Sequence, residues 1–77
     1  MLFLIEYDRP SGQIVSLQTY PDIQRDKAGE ARLAIELQLL DQGIEREVVM
    51  LEAASEDALR KTHRRYFESL NALAKAS

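Results

Sequence analysis

Met1-Leu-Phe-Leu-Ile-Glu-Tyr7 is the stretch from which the rest of the chain is best read. In extended backbone, successive side chains alternate between two faces. Leu2, Leu4 and Glu6 therefore share one side, and Phe3, Ile5 and Tyr7 share the other. Both sides carry large apolar groups, which is the pattern of an interior strand rather than a half-exposed one. Each such side chain loses roughly 1.5–3 kcal/mol if left in water, so the strand is expected to be paired along both edges and covered on both faces.

Outward from it, Asp8-Arg-Pro-Ser-Gly12 combines a proline with a fixed φ and a glycine able to take positive φ, and reads as a hairpin loop. A second strand follows over 13–20. Val15, Leu17 and Thr19 form one face of it, and Ile14, Ser16, Gln18 and Tyr20 form a mostly polar one. A strand with a polar face belongs at an edge. Pro21-Asp22 then opens a helix predicted over 22–42, with Asp22 beside the positive end of the helix dipole. Gln42-Gly43-Ile44 is its stop signal, a glycine for the left-handed position followed by an apolar residue. A third strand is predicted over 46–53, around the apolar run Val48-Val-Met-Leu51. Ser55 is a suitable N-cap for a last helix over 56–74. Leu59, Thr62, His63, Tyr66, Phe67, Leu70, Leu73 and Ala74 make one stripe of that helix.

The order is therefore ββαβα in one compact α+β domain spanning residues 1–77. A right-handed crossover through the first helix carries the third strand past the first. The expected product is a three-stranded antiparallel sheet of order 2-1-3, with the doubly apolar first strand in the middle and both helices packed on one face. That arrangement leaves the other sheet face open, and either Leu2 and Leu4 or Phe3 and Ile5 are then expected to meet something outside the monomer.

The first helix adds to this apolar surplus. Leu33, Leu37 and Leu40 group on one sector, with Ala34 at the margin, while Ala28, Ala31, Ile35 and Leu39 group on nearly the opposite one. One sector covers the sheet and the other needs a partner. The Ala28, Ala31, Ile35 and Leu39 sector is taken as the candidate interface. Gly29, inside the helix, is read as a tolerated weak position. A chain of 77 residues without cysteine has a small core and no disulfides to supplement it, which makes association as a homodimer the leading expectation.

Composition narrows the function classes. The absence of cysteine fits a reducing compartment, and with no secretory leader expected before the first strand the anticipated location is the cytoplasm. No apolar run approaches membrane-spanning length. The formal charge is −3, from 13 acidic and 10 basic residues, which argues against general nucleic-acid affinity. The local exception is Arg60-Lys61-Thr62-His63-Arg64-Arg65. On a helix, Arg60 aligns with Arg64 and Lys61 with Arg65, giving a basic ridge suited to phosphates or an acidic protein. Glu56 and Asp57, four residues before Arg60 and Lys61, equally suit a solvated, salt-linked face.

Catalytic signatures are sparse. His63 is the single histidine, and its use as a general acid or base would need an orienting carboxylate such as Glu6, Glu52 or Glu56. No CxxC, HxxxH, acidic calcium loop or GxSxG elbow occurs, and the glycines at 12, 29 and 43 are isolated. No metal site, cofactor or catalytic set is expected. The sequence is thus read as a small homodimeric interaction or regulatory module without catalysis of its own. The alternatives are a nucleic-acid binder using Arg60, Lys61, His63, Arg64 and Arg65, and a small enzyme with a pocket at a subunit boundary.

Overall fold

The computed structural model of the protein describes residues 1–67. Its strands are β1 (Leu2–Asp8), β2 (Gln13–Tyr20) and β3 (Glu47–Glu52), and its helices are α1 (Arg25–Gln42) and α2 (Glu56–Thr62). Short 3-10 turns at Asp22–Gln24 and Arg64–Tyr66 precede α1 and follow α2. The strands form one antiparallel sheet in the order β2-β1-β3, so β1 is central, and the helices pack on the sheet. The α+β class, the element order and the strand order are those expected.

Local chemistry explains the element boundaries. Gly12 takes φ 67° at the end of the hairpin turn, and its N–H donates to Asp8 O at 2.8 Å. Gly43 also has φ 67°. Its N–H donates to Leu40 O at 3.2 Å, while that of Ile44 reaches Leu39 O at 2.9 Å. These two bonds are a Schellman closure, which satisfies carbonyls that the helix end would otherwise leave bare. Ser55 caps α2, its Oγ accepting from the Ala58 N–H at 3.1 Å. Asp22 makes no side-chain cap bond, and its residues open a 3-10 turn before α1 begins.

The core is built around β1. Phe3 and Ile5 cluster with Leu59, Tyr66 and Phe67, all at most 5% exposed. Tyr7, Ile14, Leu17, Val49, Leu51 and Ala53 pack around that cluster. The alternate pair, Leu2 and Leu4, is just as enclosed at 1% exposure each. By register, Glu52 and Glu6 share the side of Leu2 and Leu4. They take Arg25 and Arg46, which bracket α1. The helix lies along β3 and β1, and its own buried residues are Ala28 and Leu39. The uncovered pair anticipated from the strand pattern is therefore absent: both apolar sets of β1 are closed within a single chain.

Three further expectations change. The sector Ala28, Ala31, Ile35 and Leu39 is not a free interface. Ala28 is 0% and Leu39 8% exposed, and Ala31 and Ile35 are half-buried. The helix turns this side inward because its small residues allow a close approach to the sheet. Second, the register shifts between Glu6 and Tyr7, where Ser16 and Ile14 are the successive partners. Val15 is the extra residue of this bulge and is 47% exposed, whereas Ile14 joins Leu17 against the core. Third, the last helix stops at Thr62. His63 leaves helical geometry at φ −120° and ψ 53°, and the following turn carries Tyr66 and Phe67 into the core. The part of the expected helix beyond residue 67, with Leu70, Leu73 and Ala74, lies outside the described residues.

Candidate functional site

The break at His63 dismantles the regular basic ridge. With α2 ending at Thr62, Arg64 and Arg65 are no longer one helical turn beyond Arg60 and Lys61 on a shared helix face. Arg60 donates to Glu56 at 3.1 Å and sets its guanidinium 4.6 Å from the centre of the Phe67 ring. Arg65 donates to Glu47 at 2.6 Å and to the Tyr66 hydroxyl at 2.7 Å, and lies 4.4 Å from the centre of the Tyr66 ring. Both arginines are thus committed within the chain. Lys61 and Arg64 form no ion pair among the described residues. They line an open depression of about 370 Å³ with Arg60 and Asp57, and the Asp57 carboxylate puts negative charge into the same space.

His63 is half-buried and has no side-chain hydrogen bond among the described residues. The three carboxylates considered as its orienting partners are engaged elsewhere: Glu6 with Arg46 at 2.6 Å, Glu52 with Arg25 at 3.4 Å, and Glu56 with Arg60 at 3.1 Å. Among the described residues, none of these carboxylates pairs with His63. Among the described residues, no group of three or more His, Cys, Asp or Glu side chains is placed to hold a metal ion, and no helix is long and apolar enough to cross a membrane.

A junction that sequence reading missed is centred on Glu47. Its side chain is 10% exposed and accepts from Arg9 at 2.6 Å and Arg65 at 2.6 Å. A hydrogen bond with Tyr66 is the largest influence on its carboxyl, followed by the bond from Arg9, and its pKa is lowered to about 2. Burial raises the Tyr66 hydroxyl above its ordinary value, and the neighbouring Glu47 pushes it in the same direction. The Tyr66 ring meets Tyr7 edge-on at 5.1 Å. One carboxylate thereby joins the hairpin loop, β3 and the turn after α2. Arg9 is 38 residues away in sequence, so no local pattern announces the contact.

Among the described residues, α1 carries an exposed apolar stripe. Leu33, Leu37 and Leu40 are 57%, 56% and 79% exposed, and they fall on one stripe facing away from Ala28 and Leu39. Ile23, just before the helix, is 92% exposed. Sequence reading found both apolar sectors and chose the other one as the interface. The Ala-rich composition of the inward sector was the available signal, since small residues permit the shorter distance to a sheet.

No protein-family model, curated protein sequence or solved structure matches the chain.

Proposed function

We propose that the protein is a homodimeric interaction module with no catalytic activity of its own, docking a second copy on the Leu33, Leu37 and Leu40 stripe of α1. The observation that carries this reading is the exposure of three leucines, each more than half accessible, at the i, i+4, i+7 spacing of a helix-packing seam. A face of this kind is costly to display singly and is typical of an association surface. The opposite sector is already occupied by the sheet, so the stripe is surplus to the fold. The reading as a protein partner also accords with the in-chain commitments of Arg60 and Arg65, which leave Lys61 and Arg64 as the free cations of the basic segment among the described residues.

Sedimentation equilibrium at micromolar concentration tests the proposal. The wild-type chain is expected to sediment as a dimer. Leu33→Glu with Leu37→Glu is expected to sediment as a monomer with unchanged helical circular dichroism, because both side chains are exposed and outside the core. A wild-type chain that remains monomeric across this range would overturn the reading.

A further inference from the structure

The charges beside the leucine stripe point to one orientation of the pair. Resting on the homodimer reading, we infer that α1 packs antiparallel to α1 of a second copy, with the twofold axis beside Ala34 and Lys27 of each chain opposite Asp41 of the other. Lys27 lies seven residues before Ala34 and Asp41 seven residues after it. At ~100° per residue these three fall on the same flank of the stripe. Both charged side chains are exposed, and neither forms an ion pair within the described part of its own chain. They are about 21 Å apart along the helix, too far to meet each other in one copy.

An antiparallel twofold resolves this flank without conflict. It brings Lys27 to Asp41 of the second copy twice over, sets Glu30 opposite Gln38 four residues either side of the axis, and sets Ala34 against itself, where its small side chain allows close approach. On the other flank, Arg32 and Glu36 are already paired at 2.7 Å. Reversal places this pair beside its own copy with the signs alternating. The leucines are centred one residue further on, so the same reversal brings Leu33 and Leu37 of one chain to within about 3 Å of the height of Leu37 and Leu33 of the other. A parallel pair would instead set this flank against the opposite one, which carries Arg32 and Glu36, and would leave Lys27 and Asp41 of the two copies at different heights along the seam. The flank is therefore complementary to itself in one direction only.

A charge-swap mixing experiment tests the orientation separately from dimerisation. Lys27→Glu alone creates two acid-acid contacts in the antiparallel homodimer, and Asp41→Lys alone creates two lysine-lysine contacts. Each single variant is expected to raise the dimer Kd by roughly tenfold. An equimolar mixture of the two variants restores both opposite-charge contacts, so native mass spectrometry should show the mixed dimer well above the statistical half. The double variant Lys27→Glu with Asp41→Lys should regain wild-type affinity. Helical circular dichroism of each variant controls for folding. A wild-type dimer whose single variants form mixed and like pairs statistically would overturn the antiparallel register while leaving the dimer in place; a monomeric wild type would overturn both.

Discussion

Glu47 shows how one side chain ties together segments that sequence keeps apart. Its carboxylate is hydrogen-bonded to Tyr66, Arg9 and Arg65, and its pKa falls from 4.5 to about 2. Because the folded pKa is depressed, the stabilisation is fully present above about pH 4.5 and is lost as pH falls toward 2, where the folded carboxyl also takes up a proton. The arginine partners are 71% and 61% exposed, and solvent screens them. Glu47→Gln is accordingly expected to cost about 1–2 kcal/mol at pH 7. The difference between wild type and variant in urea unfolding should shrink between pH 4.5 and pH 2. Parallel stability profiles across that window would show that the carboxylate charge contributes nothing. His63, by contrast, makes no side-chain hydrogen bond or ion pair among the described residues.

At the scale of the element, α1 is a helix with two apolar sectors and two glycines of different character. Gly43 holds φ 67° at the C-terminal closure, and a Cβ there would meet no atom within 4 Å. The cost of Gly43→Ala is then one of backbone conformation alone, about 1 kcal/mol. Gly29 has ordinary helical backbone within α1, and a Cβ on it also meets nothing within 4 Å. No close approach requires the glycine, in keeping with its reading as a tolerated weak position. Gly29→Ala is expected to stabilise the protein by about 0.5–1 kcal/mol. Thermal denaturation of the two variants side by side should move the midpoint in opposite directions; a shared direction would contradict the assignment.

The whole molecule is held together by the enclosure of β1. Ile5 is 0% exposed and Leu4 1%, on alternate sides of the same strand. Deleting a buried aliphatic side chain to alanine costs about 2–5 kcal/mol, a large part of the roughly 5 kcal/mol expected at the lower end for a small domain. Ile5→Ala and Leu4→Ala should be comparably damaging in chemical denaturation at the same protein concentration. A Leu4→Ala cost below about 1 kcal/mol would mean that the Leu2 and Leu4 side is not tightly packed. Among the described residues, Leu33, Leu37 and Leu40 on the outer stripe of α1 remain more than half exposed, whereas the apolar residues Leu2 to Ile5 of β1 are enclosed.

What the amino-acid sequence determined by itself was local or strand-periodic. The β1 alternation, the Gly12 turn, the Gly43 closure and the Ser55 cap each depend on a few neighbouring residues, so the element order and the central place of β1 were legible. So were the two apolar sectors of α1 and the burial of Tyr66 and Phe67. Only the tertiary structure decided which sector of α1 turned inward, because helical periodicity describes the sectors but not the rotation at which the crossover sets the helix on the sheet. It alone revealed the bulge that exchanges Val15 for Ile14, since that shift arises in the pairing with β1. It also ended α2 at Thr62, where carrying Tyr66 and Phe67 into the core took precedence over continuing a regular basic stripe. Glu47 is the clearest case: its partners come from the hairpin loop and the turn after α2, and only folding brings those three places together.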